Sequence, residues 1–284
     1  MTTLEVPNKY LASSPIIVTS PTSRCGTTLV QRLLSASDNG FIYGEQIGNE
    51  IKVLTTMFME QLRFLQDRGE VMDADFERAL AGALCDWRPG LSPPAAVMLK
   101  AWVDIYYQIP AALTAHARAI NRPVWGFKFP GYTRDTLKAI LSLMPQARIV
   151  YVFRNPFDVL KSAKARKFVN TNKDIATLCA QWATNMGEIS ELARDERVLL
   201  VKYEGLIAQR AEYIRMLEMF TGVQNIDARA FDLKINTFQG DQADGHAPDQ
   251  YIPPAPLTKA DRGYVLNKAG PIVERLYGDQ LQAA

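Results

Sequence analysis

Ile16-Ile17-Val18-Thr19-Ser20-Pro21-Thr22-Ser23-Arg24-Cys25-Gly26-Thr27-Thr28-Leu29-Val30 is the stretch from which the rest of the chain is read. Ile16–Thr19 is apolar and β-branched over a strand's length. A polar turn containing Pro21 follows, and then Leu29, Val30, Leu33 and Leu34 recur at helical spacing. A strand that enters a turn of small residues and leaves as a helix presents unpaired N–H groups with the helix dipole behind them. The turn 20–26 therefore reads as a seat for an anion. Gly26 permits close backbone approach, Thr27 and Thr28 add hydroxyl donors, and Arg24 can meet an anionic oxygen through a forked contact. The plainer alternative is an ordinary helix start.

Outward from this turn, strands and helices alternate. Residues 124–129 read as a strand, and a helix carrying Leu137, Ile140, Leu141 and Met144 breaks at Pro145. Arg148–Phe153 is a strong strand, Pro156 suits a first helical position, and Val159, Leu160 and Ala163 mark the helix beyond it. A helix over about 173–193 leads to a strand at 198–203. This alternation predicts an α/β fold with a P-loop-type parallel sheet and helices on both faces. RIVYVF (148–153) and VLLVKY (198–203) are the continuous apolar runs of buried parallel strands. Between 46 and 122 only helical patterns occur, at 49–68, 74–84 and 105–120, which predicts a helical insertion over the strand ends. Residues 236–256, rich in Gly, Asp, Gln and Pro, read as a functional or mobile loop. All of 1–284 is expected to form a single domain.

The obvious rival for such a turn is a nucleoside triphosphate site, G-x-x-x-x-G-K-[ST]. With its last glycine on Gly26, Pro21 takes the first glycine and Thr27 takes the lysine that would contact the terminal phosphates. The strand 148–153 ends in Arg154 where such enzymes place a magnesium-binding aspartate. The expectation is a phosphate-bearing donor that needs no metal.

Ser23-Arg24-Cys25-Gly26-Thr27-Thr28-Leu29 resembles the 5′-phosphosulfate loop of the sulfotransferases that use 3′-phosphoadenosine-5′-phosphosulfate (PAPS), usually P-R-S-G-T-T-L. Ser23 replaces the proline and Cys25 the serine. A thiol at a helix start is also expected to have a lowered pKa. RIVYVFRNPFDVLKSAKARK (148–167) is similar to the family's 3′-phosphate segment, in which an arginine ends a strand and a serine follows eight residues later. Arg154 and Ser162 match that pair. Arg166, four residues on, shares a helical face with Ser162. The resemblance is nearest to the tyrosylprotein sulfotransferases, over about 16–45 and 124–222. It implies PAPS as co-substrate, PAP as product, and transfer of a sulfuryl group to an acceptor hydroxyl by in-line displacement.

It also implies roles for further residues. Gly44-Glu45 stands where those enzymes keep a G-E pair whose glutamate is the catalytic base. Phe41, Ile42, Tyr43 and Ile47 around Glu45 are expected to desolvate it. Glu50 is the nearest competitor. Gly126-Phe127-Lys128-Phe129-Pro130 resembles the K-x-P strand end, making Lys128 the group that steadies the bridging oxygen or protonates the leaving group. Val201-Lys202-Tyr203-Glu204-Gly205-Leu206 is similar to the V-x-Y-E-x-L strand end, so Tyr203 contacts the nucleotide or else caps the sheet. Trp182 reads as core more than as a stacking residue. Lys259 and Arg262 are the candidate contacts from the C-terminal side.

Composition bounds the remainder. In 284 residues, 48% are hydrophobic, 22% are charged and the formal net charge is +2, so this is an ordinary globular chain without the basic surface of a nucleic-acid binder. Met1–Ser14 is polar and mixed, and no segment has the roughly 20 apolar residues of a membrane span. Three scattered cysteines (Cys25, Cys85, Cys179) and two histidines suggest neither disulfides nor a metal site. The expectation is a reduced, cytoplasmic, metal-free protein without a membrane or nucleic-acid partner. Its assembly state stays open, a homodimer among the alternatives. Acidic and basic residues nearly balance over 46–122, which argues against a polyanionic acceptor. Met57, Phe58, Phe64, Trp87, Tyr106 and Tyr107 either line an apolar pocket or form core. A small or medium alcohol or phenol is the preferred acceptor, with a peptide tyrosine as the alternative left by the resemblance.

Overall fold

The computed structural model describes residues 14–83, 90–232 and 253–281. Its strands are β1 (Ile16–Thr19), β2 (Gly40–Tyr43), β3 (Val124–Lys128), β4 (Arg148–Phe153) and β5 (Val198–Lys202). They pair in parallel in the order β2-β3-β1-β4-β5, with β1 central. Parallel neighbours need long crossovers, and helices supply them. α1 (Thr27–Ser35) joins β1 to β2, and α2 (Glu45–Leu80) and α3 (Ala95–Ala119) lie between β2 and β3. α4 (Arg134–Leu143) precedes β4, and α5 (Pro156–Ala165) and α6 (Asn172–Leu192) precede β5. α7 (Tyr203–Ala208), α8 (Arg210–Thr221), a 3-10 turn (Ala228–Phe231) and α9 (Lys259–Leu281) complete the order. This is the α/β sheet with helices on both faces that the alternating pattern predicts.

Side chains alternate across each strand, so the sheet buries two cores. Ile17, Ile149, Tyr151 and Phe153 face a core shared with Phe58 of α2, Tyr106 and Tyr107 of α3, Ile140 of α4, Trp182 of α6 and Val273 of α9. Ile16, Val18, Val150 and Val152 face the other, against Val30, Leu33 and Leu34 of α1, Leu206 of α7 and Leu217 of α8. Each fully buried aliphatic side chain stabilises the fold by about 1.5–3 kcal/mol. Local signals start the helices. Thr171 and Asp174 form a capping box on α6, and Asn155 caps α5 with Pro156 in its first turn.

The helical stretch between β2 and β3 differs from the expected three segments. α2 runs unbroken through 69–73, and α3 begins at Ala95 and passes through Pro110. A Cβ at Gly69, between the two expected segments, would lie 3.1 Å from the Ala95 side chain. Close helix-to-helix approach is the reason for the small residue. Two elements go beyond the expectations. β2 is a four-residue edge strand, too short and half-exposed to stand out in sequence. α9 carries Val265, Ala269, Val273 and Tyr277 at intervals of four on its buried side, across a helix that also contains Pro271. Of the aromatic candidates, Phe58, Tyr106 and Tyr107 are core, Met57 and Phe64 are exposed, and Trp87 lies outside the described residues. No helix among the described residues is long and apolar enough to cross a membrane.

Gly126 fixes how closely β1 and β3 approach. A Cβ at this position would come within 2.0 Å of the Ile16 carbonyl oxygen, which is backbone and cannot turn aside. Gly126→Ala is expected to lower stability by about 1–3 kcal/mol, as overpacking of a rigid core does. Urea unfolding should show a lower midpoint at unchanged slope.

Candidate active site

The turn after β1 is held by its neighbours. Ser20 Oγ donates to the Thr22 carbonyl at 2.6 Å, Asn185 Nδ2 of α6 donates to the Pro21 carbonyl at 2.7 Å, and the Gly131 N–H donates to the Ser20 carbonyl at 2.8 Å. Gly26 precedes α1 at φ 103°, a left-handed conformation that glycine adopts freely, and brings no capping side chain. The first N–H groups of α1 thus keep no side-chain cap from that position. The Tyr203 ring lies against Gly26, within 2.3 Å of where a Cβ would stand. Arg24 is also left-handed, at φ 70°, which is uncommon for a residue with a Cβ and turns its side chain toward α5.

Arg24 Nε donates to Ser162 Oγ at 3.1 Å, which brings the two sequence motifs into one site. Burial and then the neighbouring Arg166 and Arg154 push the Arg24 guanidinium down to about 10. Three cations thus share one neighbourhood. Arg166 caps α5 and is 4% exposed. The Arg154 guanidinium lies 4.5 Å over the Tyr203 ring, and its buried Nε has no hydrogen-bond partner. A buried donor without an acceptor beside two further guanidiniums is a place prepared for an anion.

The end of β4 is anchored by residues that the sequence reading did not single out for this task. Trp182 Nε1 donates to the Arg154 carbonyl at 3.1 Å, and Glu204 Oε1 accepts the Asn155 N–H at 2.9 Å. Tyr277 Oη of α9 donates to the other Glu204 oxygen at 3.4 Å. Glu204 directly follows Tyr203 in the V-x-Y-E-x-L stretch. Tyr203 itself bridges Gly26 and Arg154, so it positions both halves of the cationic site.

Lys128 ends β3 at 7% exposure. Its Nζ donates to Glu45 Oε1 at 2.6 Å and to Thr28 Oγ1 at 3.3 Å. Glu45 opens α2, and Gly48 one turn later lets that helix press onto the strand end. A Cβ at Gly48 would meet the Phe129 Cβ at 2.6 Å and the Lys128 carbonyl oxygen at 2.9 Å. Glu50, the competitor for the role of base, instead accepts a hydrogen bond from Gln46 at 2.9 Å.

Three expectations change. Cys25 does not face a ligand. It is fully buried, with Sγ 3.7 Å from Thr22 Oγ1, and desolvation pushes its thiol up to about 11 where the helix start was expected to lower it. Only its backbone can serve an anion. Glu45 is not desolvated by its apolar neighbours in sequence. Its side chain is 55% exposed and ion-paired to Lys128, because Ile42 turns into the core while Phe41 turns to solvent. Thr27 is buried at 5% exposure, leaving Thr28 as the hydroxyl that reaches Lys128. Lys259 and Arg262 are exposed on the first turn of α9. That turn is tied to α5 by the Lys164–Asp261 ion pair at 2.5 Å. His246 and most of the loop 236–256 lie outside the described residues. Among the described residues, no group of three or more His, Cys, Asp or Glu is arranged to hold a metal ion.

The sequence pattern of the sulfotransferase family matches residues 15–227, and the chain belongs to that family. It is a sulfotransferase, an enzyme that transfers a sulfuryl group to an acceptor. No curated protein sequence matches it. Among solved structures it is similar to the sulfotransferase domain of the Synechococcus PCC 7002 olefin synthase, at 18% identity over 94% of this chain and 98% of that one, TM-score 0.48. The sulfotransferase domain from the curacin biosynthetic pathway is similar at 14% identity over 93% and 97%, TM-score 0.49. Mouse sulfotransferase SULT7A1 complexed with PAP is similar at 11% identity over 96% and 88%, TM-score 0.43.

Burial makes a prediction about the thiols. Cys25 and Cys179 are both pushed from 9.0 to about 11 by desolvation. Brief treatment of the native protein with iodoacetamide at pH 8 should leave both unmodified by peptide mass spectrometry, whereas urea-unfolded protein is labelled at both. The unfolded chain gives up these protons first, so both thiols subtract stability as pH rises from about 9 to about 11.

Proposed function

We propose that Arg24, Arg154, Ser162 and Arg166, with the backbone N–H groups of 24–28 and the Thr28 hydroxyl, hold the two phosphate ends of PAPS. Glu45 and Lys128 carry out the transfer between them. One observation supports this above the others: the Arg24 to Ser162 contact places residues from two anion motifs in a shared cationic neighbourhood. The 5′-phosphosulfate lies on the turn and the start of α1, and the 3′-phosphate lies against Arg154 and Ser162 at the start of α5. No step requires a metal.

The displacement is in line. Glu45 takes the proton of the acceptor hydroxyl, the acceptor oxygen forms a bond to sulfur, and the bond from sulfur to the bridging phosphate oxygen breaks. Lys128 stabilises the charge that collects on that oxygen as PAP leaves. Its contact with Thr28 keeps the ammonium at the turn, and the donor's arrival gives it a second anion, which frees Glu45 for the acceptor. The half-exposed carboxylate leaves room for a small or medium alcohol or phenol. This pairing is the one that the tyrosylprotein sulfotransferase resemblance implies. The described segments form one domain with the α2–α3 insertion on the acceptor side.

Calorimetry with PAP tests the donor site. Arg154→Ala should weaken binding tenfold or more, since a buried charge-assisted contact is worth about 1.5–3 kcal/mol. An unchanged affinity would remove Arg154 from the 3′-phosphate.

Transfer from labelled PAPS to a panel of phenols and alcohols tests the chemistry. Glu45→Gln and Lys128→Ala should each lower kcat by about a hundredfold or more, in line with loss of a general base or of charge stabilisation. For Glu45→Gln the affinity for PAP should stay within about twofold. Rates that survive both substitutions would reassign the base and the stabilising cation.

A further inference from the structure

Lys52 follows Glu45 by seven residues on α2, two turns along nearly the same face and about 10 Å further up the axis. Gly48 lies between them and presses against Lys128 and Phe129, so this stripe of α2 is the one that meets the end of β3. The Lys52 ammonium stands 5.5 Å over the Phe129 ring centroid. It is partly withdrawn from solvent, and no carboxylate among the described residues pairs with it. Other lysines of the site region are paired: Lys128 with Glu45, Lys161 with Asp158 and Lys164 with Asp261. A half-buried ammonium held by an aromatic face, with no carboxylate beside it, can take an anion on the acceptor side of the catalytic pair.

We propose that the acceptor is a hydroxy-carboxylate, and that Lys52 is the residue that selects it. This rests on Glu45 and Lys128 as the transfer pair. The hydroxyl lies at Glu45 and the carboxylate at Lys52, seven residues further along the same helix. The edge of Phe129 contacts the apolar span between them. A lone ammonium matches a singly charged group, whereas the doubly charged phosphates of the donor meet clustered guanidiniums. Glu45 disfavours an anion close to the reacting oxygen, which adds a reason for the charge to lie at the far end of the acceptor.

The test is steady-state kinetics of the full chain at saturating PAPS. Straight-chain ω-hydroxycarboxylates of graded length are compared with their methyl esters, for the unaltered enzyme, Lys52→Met and Lys52→Arg. The acids should exceed their esters in kcat/KM by about tenfold or more, with a single optimum chain length. Lys52→Met should bring the acid-to-ester ratio to about one through the KM of the acid, and Lys52→Arg should restore most of it. Equal use of acid and ester by the unaltered enzyme overturns the proposal. So does a Lys52→Met enzyme that keeps the ratio, or an enzyme that sulfates neutral phenols but neither member of any pair. Failure of the transfer reading itself looks different: no hydroxyl compound is sulfated, or Glu45→Gln leaves the rate unchanged.

Discussion

Arg24, Arg154 and Arg166 bring like charge into one partly buried neighbourhood, and this repulsion is the constraint around which the rest is arranged. Left alone, three such groups would move apart or into solvent. They are held by contacts that carry little charge. Ser162 accepts from Arg24, the Tyr203 ring lies under Arg154, Phe168 lies under Arg24, and Trp182 fixes the carbonyl of Arg154 itself. The sheet order does the coarse work by placing β1 beside β4, so that both motif-bearing turns leave the same edge. In the proposed function, binding a donor with two phosphates relieves the repulsion. Folding and donor affinity are therefore two sides of one electrostatic arrangement, with packing supplying what the charges withhold.

The catalytic pair is built in the opposite way. Lys128 and Glu45 neutralise each other across the end of β3 and the start of α2, and what sets their separation is steric. Gly48 removes the side chain that would hold α2 away from the strand, and the Tyr132 hydroxyl donates to the Gly48 carbonyl to secure the approach. One partner is nearly buried and the other is half exposed, so the pair has a donor side and an acceptor side. The buried end touches Thr28 of the phosphate turn, and the exposed end faces the helical insertion.

How much of this was legible depends on which physical signal each residue leaves. β1 and β4 were plain because buried parallel strands are continuous apolar runs, and Pro156 and Asn155 marked the start of α5 without ambiguity. Arg154, Ser162 and Lys128 were named from the resemblance of their segments to the family's motifs, and the structure brings Arg24 to Ser162 and Lys128 to Glu45. What a sequence does not carry is the direction of a side chain at a turn. Cys25 occupies a motif position and points inward, and Glu45 lies among apolar neighbours that turn away from it. Long-range close approach is equally silent. Gly69 and Gly48 each sit where another segment comes within contact of the missing Cβ, which the local sequence does not encode. β2 escaped because four residues at a sheet edge are too few for periodicity to register.

In the proposed function the two substrates are recognised by parts of the chain with different physical character. The donor meets the ends of β1 and β4, where clustered cations and backbone donors address phosphate oxygens and tolerate little change in position. The acceptor meets α2 and α3, long helices whose contact with the sheet is apolar. Glu45 belongs to α2 while Lys128 belongs to the sheet, so the chemistry takes place at the seam between these parts. Any shift of α2 along its axis moves the base and Lys52 together, which means that acceptor length and placement of the base are coupled through one rigid helix. With Lys52 selecting the acceptor as proposed, acceptor range follows the residues that stripe α2 beyond Glu45, and donor use is left to the strand ends.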